Sequence, residues 1–268
     1  MSDPWLSIIT VNRNNVQGLQ RTLKSTTEQT FANFEQIVVD GGSSDGSREL
    51  LSDPAYRVSR WVSEPDRGIY HAMNKGIEMS RGRFVLFLNS GDHFIDTNSL
   101  QLAQIACTDV DINYFNVQFQ LPVDGGWKSV KKSYPETLSF SFFARDALCH
   151  QATLLRRDLF ERVGRYDESF AIAADWIFTV LAVCRDQCSY QGHPLVLSVF
   201  YHDGISAIPE NQSRSHRERD AALRRYLPLF ADAANVLGSA GREAEELQAL
   251  RCSKVIQTLQ RMRLLWQF

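Results

Sequence analysis

Four short apolar runs mark the first third of the chain, and small, polar or acidic residues follow them. Leu6 to Val11 stops at Asn12-Arg13-Asn14-Asn15, and Phe34 to Val39 stops at Asp40-Gly41-Gly42-Ser43-Ser44-Asp45-Gly46. Val58 to Val62 leads into Ser63-Glu64-Pro65-Asp66, and Arg83 to Leu88 ends at Asn89-Ser90-Gly91-Asp92. Between them the spacing predicts helices over about 16–29, from Ser47 to Leu51 with Pro54 ending it, and from Tyr70 to Ser80 with Gly82 closing it. Apolar strands alternating with helices imply βαβ units and a mostly parallel sheet covered on both faces.

The pattern then changes. Phe115, Val117, Phe119 and Leu121 alternate with polar residues, Asp124-Gly125-Gly126 follows, and Trp127 to Tyr134 returns, which predicts an antiparallel, half-exposed hairpin. A short helix over Asp158 to Val163, a longer apolar one over Ala173 to Cys184 and a late strand over Leu195 to Tyr201 come next. Gly204 to Arg217 is polar, contains Pro209 and reads as a mobile loop, while Asp220 to Phe230 and the chain from Arg242 onward regain helical spacing. The expected organisation is an α/β domain over 1–230, divided near residue 98 where the pattern changes, followed by a helical tail at 231–268.

Bulk properties narrow the function. With 268 residues and 44% hydrophobic content the chain can build one full core. A net charge of -2 argues against a dedicated nucleic-acid binder. Cys107, Cys149, Cys184, Cys188 and Cys252 form no framework spacing and read as packing thiols in a reducing compartment. The start, MSDPWLSIITV, has no basic region or cleavage signal, and no run approaches the roughly 18 apolar residues that span a bilayer. The expectation is a soluble, cytoplasmic protein.

In a parallel sheet Asp40, Asp66 and Asp92 fall on one edge, the carboxyl edge, where open α/β sheets bind ligands. Each alone is commonly a turn residue or helix cap, but three in register point to a nucleotide pocket. No G-x-G-x-x-G follows the first strand and no G-x-x-x-x-G-K-[ST] occurs anywhere, which weakens a dinucleotide enzyme or a P-loop NTPase. Phosphates held without a glycine-rich nest need a cation, and Asp92 can offer a divalent metal one carboxylate.

These motifs carry a family resemblance. Ser7-Ile8-Ile9-Thr10-Val11-Asn12, Val38-Val39-Asp40-Gly41-Gly42-Ser43-Ser44-Asp45-Gly46-Ser47, Ser63-Glu64-Pro65-Asp66-Arg67-Gly68-Ile69-Tyr70 with Ala72-Met73-Asn74-Lys75-Gly76, Phe87 to Asp92, and Ala173-Ala174-Asp175 resemble family 2 glycosyltransferases. The likeness is to the bacterial exopolysaccharide and O-antigen branch, including the colanic-acid type. It is dense over 5–95, patchier over 148–206 and faint beyond. The resemblance implies a GT-A fold over 1–230, with a nucleotide-sugar-binding half at 1–98 and an acceptor-binding half at 99–230, and inverting transfer of a sugar from a UDP- or GDP-linked donor. It implies that Thr10, Asn12 and Asp40 line the base and ribose pocket, that Asp66, Asn74 and Lys75 close the donor site, and that Asn89, Ser90 and Asp92 stand at the family's Asp-x-Asp metal motif. Here Asn89 and Gly91 replace the usual acids, so a Mn²⁺ or Mg²⁺ ion would rest on Asp92 and the diphosphate.

Asp175 matches the family's catalytic base. An acceptor hydroxyl is a poor nucleophile near neutral pH, and a carboxylate within hydrogen-bond reach can take its proton as it attacks. From spacing alone Asp175 could equally be the N-cap of the helix that continues as Trp176-Ile177-Phe178. His150-Gln151 resembles a pair near the acceptor site of this branch, and His202 falls where some relatives place a His on the metal or diphosphate; a core His and a solvated loop His are the plain alternatives. Trp5, Trp61 and Trp127 could stack on sugars, although aromatics at strand positions are usually core. Residues 251–268 hold Arg251, Lys254, Arg261 and Arg263, no acid, and Val255, Leu259, Met262 and Trp266 at helical spacing. Such a helix can lie on an anionic membrane or pack on protein.

The expected protein is therefore a GT-A-like enzyme moving a sugar to a lipid-linked bacterial glycan at the inner face of the membrane. Two other readings remain. A nucleotidyltransferase would want a glycine-rich basic loop where Asn12-Arg13-Asn14-Asn15 stands, and a non-catalytic glycan- or nucleotide-binding module would have no use for Asp175.

Overall fold

The structure is a computed structural model that describes residues 3–202 and 209–232. The basic segment at 251–268 lies outside the described residues, as does most of the expected tail.

The first half follows the predicted alternation closely: β1 (Leu6–Asn12), α1 (Val16–Thr27), β2 (Phe34–Asp40), α2 (Ser47–Leu51), β3 (Arg60–Ser63), α3 (Ile69–Met79) and β4 (Phe84–Phe87). The second half adds β5 (His93–Phe94), α4 (Ser99–Ala106), β6 (Ile112–Val123), β7 (Gly126–Lys132), α5 (Phe140–Phe143), β8 (Thr153–Arg156), α6 (Leu159–Arg162), α7 (Ala174–Val180), β9 (Tyr190–Tyr201) and α8 (Pro209–Tyr226). One nine-stranded sheet runs β3-β2-β1-β4-β8-β6-β9-β5, with β7 paired to β6.

β1 pairs in parallel with β2 and β4, and β2 with β3. Beyond β4 the sheet turns mixed: β8 is antiparallel to β4 and to β6, β9 is parallel to β6, and β7 and β5 close antiparallel ribbons. The hairpin expected at 115–134 is thus β6–β7, and β6 is long enough to take β8 at Ile112 to Tyr114 and β7 at Val117 to Val123 along one edge.

The two-residue period of the strands divides the core. Ile9 and Val11 of β1 and Val85 and Phe87 of β4 pack on one face with Met73 and Ile77 of α3 and Ile177 and Val180 of α7. Leu6, Ile8, Phe84 and Leu86 pack on the other with Leu100 and Ala103 of α4. Leu19 and Leu23 of α1 and Leu51 of α2 cover Val38. Each buried Val, Leu, Ile, Met or Phe side chain here contributes about 1.5–3 kcal/mol against its exposed state.

Two expectations change here. The stretch read as a mobile loop at Gly204 to Arg217 is helical from Pro209, because Ala222, Leu223 and the flanking aromatics give α8 a buried face and Pro209 stands at its first position, where a missing N–H costs nothing. The helix read over Ala173 to Cys184 ends as α7 at Val180 and widens into a π-helical turn at Leu181–Arg185. Of the tryptophans, Trp5 is wedged between Phe31 and Phe84, Trp61 packs beside Leu19 and Val38, and Trp127 is 45% exposed with its edge on Tyr201. Cys107, Cys149, Cys184 and Cys188 are free thiols. Among the described residues no helix is long and apolar enough to cross a membrane.

Candidate active site

The carboxyl edge of the parallel half is a row of mutually bonded polar side chains. Asn12, Asp40 and Ser63 are register partners across β1, β2 and β3. Asp40 accepts from Asn12 Nδ2 at 2.8 Å, from Ser63 Oγ at 2.6 Å, and from the Ser43 hydroxyl and N–H at 2.5 and 2.9 Å. Burial alone would raise its pKa, but the donors from Ser43, Ser63 and Asn12 outweigh it and hold the carboxyl below its ordinary range. Asp40 is 0% exposed, so its place is beneath the expected pocket rather than on its wall.

Thr10 is equally enclosed: its hydroxyl donates to Leu88 O at 2.7 Å and accepts from Gln36 Nε2 at 2.7 Å. Asn12 is different, since its Oδ1 is buried without a partner among the described residues. Asp66 reaches back to the end of β2, accepting the Gly68 N–H at 2.9 Å with Arg13 4.0 Å away. Gly41 makes that approach possible, because a Cβ there would sit 2.3 Å from Asp66 Oδ2. Asn74 and Lys75 hold other parts of the protein. Asn74 exchanges hydrogen bonds with the backbone of Tyr166, at 2.9 and 3.1 Å, and Lys75 pairs with Glu64.

The turn after β4 is pinned from α1. Thr22 Oγ1 lies 2.7 Å from Asp92 O and 3.2 Å from Asn89 O and accepts the Gly91 N–H at 3.0 Å. Asn15, which caps α1, donates to Ser90 O at 3.1 Å. Gly91 has φ of +111°, a conformation L side chains rarely adopt, so an acid at this position would strain the turn. Asp92 is 6% exposed and Gln151 Nε2 donates to its Oδ2 at 3.0 Å.

From the second half comes Asp175, the second residue of α7. Its Oδ1 accepts from the Tyr70 hydroxyl at 2.8 Å and from the Trp176 N–H at 2.9 Å. His150, in a 3-10 turn at His150–Ala152, faces Oδ2 with Nδ1 at 3.2 Å. Asn89 Nδ2 lies 3.0 Å from His150 Nε2. With that amide donating, the imidazole proton sits on Nδ1 and is donated to Asp175. Desolvation pushes the Asp175 pKa up, while His150, Tyr70 and the Trp176 N–H pull it down further, so the carboxyl lies below its ordinary range. The Asp175 side chain keeps 26% of its surface exposed, enough to meet a substrate. An ionised carboxylate held in place by donors and open on one side is equipped to accept a proton.

His150 and Gln151 therefore tie Asp175 and Asp92 to the same short turn. His202 follows the end of β9, with its ring against Phe119 and Phe200 and its N–H on Gln120 O. The described residues contain no group of three His, Cys, Asp or Glu side chains that could hold a metal ion. With a glycine where a second acid would strain, the turn offers a divalent cation one protein carboxylate, Asp92.

Several residues here escaped the sequence reading. Thr22 and Tyr70 are helix positions whose roles depend on what packs against them. Glu218 and Arg219 fall between the loop read to Arg217 and the helix read from Asp220, and both lie within α8. Glu218 Oε2 accepts the N–H groups of Ala171, Ile172 and Ala173 at 3.0, 2.8 and 3.2 Å, directly ahead of α7.

Residues 7–164 match the family described as Glycosyl transferase family 2, more than half of the chain. The protein belongs to this family. It is a glycosyltransferase, and relatives align well past the matched region. An uncharacterized glycosyltransferase of Mycobacterium tuberculosis is 35% identical over 187 residues, covering 69% of this chain and 71% of its own. A PGL/p-HBAD biosynthesis glycosyltransferase of Mycobacterium bovis is 27% identical over 237 residues, 85% of this chain and 86% of the relative. Among solved structures, Staphylococcus aureus TarS 1–349 in complex with UDP-GlcNAc has a TM-score of 0.64 at 17% identity, covering 87% of this chain and 70% of that one. The mannosyltransferase PcManGT of Pyrobaculum calidifontis, in complex with GDP-Man and Mn²⁺, has a TM-score of 0.61 at 17% identity, covering 98% of this chain and 85% of that one. These two likenesses establish the fold, a GT-A-like curled mixed sheet flanked by helices.

Proposed function

We propose that this glycosyltransferase moves a sugar, with inversion, from a nucleotide-sugar to a hydroxyl of a lipid-linked glycan acceptor in the synthesis of a bacterial surface polysaccharide. The observation that carries the reading is Asp175: a carboxylate oriented by three donors, partly open, and one imidazole away from the turn after β4. Asp175 takes the proton of the acceptor hydroxyl as that oxygen attacks the anomeric carbon. His150 orients the carboxylate and keeps it ionised until then. The bond from the anomeric carbon to the nucleoside diphosphate breaks on the opposite side, which inverts the configuration.

The donor lies over the row Asn12, Asp40 and Ser63, where the unpaired Asn12 Oδ1 offers a buried acceptor for a ribose or base donor. Asp40, Asp66, Asn74 and Lys75 shape that floor through the bonds described above, and Asn89 and Ser90 bound it at the 89–92 turn. UDP- and GDP-linked sugars are the donor classes bound by the two structural neighbours. The neighbour holding Mn²⁺ favours a divalent cation accompanying the donor, with Asp92 as its single protein carboxylate here. The basic segment at 251–268 suits an anionic lipid surface at the cytoplasmic face, where lipid-linked acceptors present their sugars.

The test is a thermal-shift and turnover screen over UDP-, GDP- and dTDP-sugars with wild type and Asp175→Asn. One donor should stabilise both proteins, and only wild type should transfer or slowly hydrolyse it. Stabilisation of neither by any nucleotide-sugar would overturn the donor assignment.

A further inference from the structure

Five buried side-chain polar atoms lack a partner among the described residues, and three of them surround the site: Asn12 Oδ1, Asn89 Oδ1 and Arg219 Nε. Arg219 is the unusual one, because it is a cation. Its guanidinium stacks on Trp176, the residue after Asp175, with Cζ 4.9 Å from the ring centroid. It makes no ion pair among the described residues, although Asp175 and Asp146 both lie within its field. Both acids already have partners, Asp146 in Lys132 and Asp175 in His150 and Tyr70. A guanidinium with a sealed, unpaired Nε is costly to keep buried, and the Trp176 face alone returns only part of that cost.

Its position is set by the protein. Glu218, the preceding residue, caps the three N–H groups ahead of α7, and at the far end of α8 Arg225 and Tyr226 grip Asp167 at 3.0 and 2.7 Å. α8 is thus latched to the segment that carries the base, and Arg219 is presented beside Asp175 with its charge unspent. The 89–92 turn, meanwhile, supplies one carboxylate for a cation where the family motif has two acids.

We propose that Arg219 is a phosphate-binding residue of the catalytic centre, pairing with a phosphoryl group brought by substrate and supplying there the positive charge that the altered 89–92 turn is poorly built to hold. The planar fork of a guanidinium matches two phosphate oxygens, and in a water-poor site the pairing is strong. The phosphoryl group has two sources: the diphosphate of the donor, or the phosphate of a lipid-linked acceptor. The inference rests on the glycosyl-transfer reading above.

The experiment compares wild type, Arg219→Lys and Arg219→Gln, each first shown by its melting curve to be folded. Binding of UDP, GDP and dTDP is measured against the matching nucleosides, and KM against an alkyl diphosphate-linked acceptor sugar and the same alkyl glycoside without phosphate. If the donor is the source, Arg219→Gln loses roughly tenfold to a hundredfold of the preference for diphosphate over nucleoside, and Arg219→Lys recovers part of it. If the acceptor is the source, the same loss appears only in KM for the phosphate-bearing acceptor. A folded Arg219→Gln protein with both preferences unchanged overturns the role of Arg219 and leaves glycosyl transfer standing. A wild type that binds no nucleoside diphosphate and transfers no sugar overturns the underlying reading, and this inference with it.

Discussion

Asp40 and Asp175 are two carboxylates held by similar donors, one fully buried and one partly open, and they stand in different halves of the molecule. Asp40 is satisfied within the first half: every donor it has comes from β1, β2, β3 or the turn after β2, and none of its surface is open. Asp175 is satisfied across the halves, by Tyr70 from the first and by His150 and its own helix from the second, with a quarter of its surface left open. In the proposed reaction the same chemistry serves rigidity in one place and reactivity in the other. What distinguishes them is whether the last coordination position is filled by the protein or kept for a substrate.

Exchanging the two carboxylates' fates is the strongest way to break this contrast. Asp175→Asn should lower transfer by about 10²–10⁴-fold, the usual worth of a general base, with nucleotide binding and melting temperature nearly unchanged. Asp40→Ala should do the reverse, leaving the Ser43, Ser63 and Asn12 donors unpaired and costing about 3 kcal/mol of stability in a urea titration. Loss of activity at full stability in Asp40→Ala would place that residue in the chemistry after all.

A smaller effect sharpens the contrast. His150 is a main cause of the low Asp175 pKa, so His150→Ala should raise that pKa and move the acid limb of kcat/KM to higher pH. An unmoved limb in an active variant would mean that the imidazole does not tune the base.

Stability should also depend on acid in a stated direction. Glu35, Asp40, Asp175 and Glu218 all have folded-state pKa values below their ordinary ones. Groups of this kind stabilise the fold above their unfolded values, near roughly 4, and lose that contribution as pH falls through the lower folded values. Melting temperature should hold from pH 7 to about 5 and drop steeply below about 4. The smallest effect concerns metal: with a single carboxylate in the turn and Arg219 beside the base, chelation by EDTA should reduce transfer by less than about tenfold. A complete loss restored by Mn²⁺ would assign the charge to a cation instead.

Much of the first half was legible because local rules agree there. Apolar runs ending in Asp or Asn mark β1, β2 and β4 within a residue or two, and parallel order then places Asn12 and Asp40 in one row. β8 went unread, since Thr153-Leu154-Leu155-Arg156 is four residues with no alternation and becomes a strand only by filling the gap between β4 and β6. The start of α8 was misread for a related reason: Pro209 to Arg217 is polar throughout and becomes helical through contacts made further along the helix.

The sequence by itself determined the strand–helix alternation of the first half and the family motifs, because each depends on residues close together in the chain; Asp175 stood out as a candidate base only through the family resemblance, since its spacing alone fits a helix N-cap equally well. Only the tertiary structure decided that Thr10 and Asp40 are enclosed, that His150 joins Asp175 to Asn89, and that Glu218 and Arg219 stand beside the base. Those facts join residues far apart in the chain, 25 positions for His150 and Asp175, 61 for Asn89 and His150, 78 for Thr10 and Leu88, and burial, which turns a polar side chain into a support or a reactive group, is set by what packs on it from distant segments.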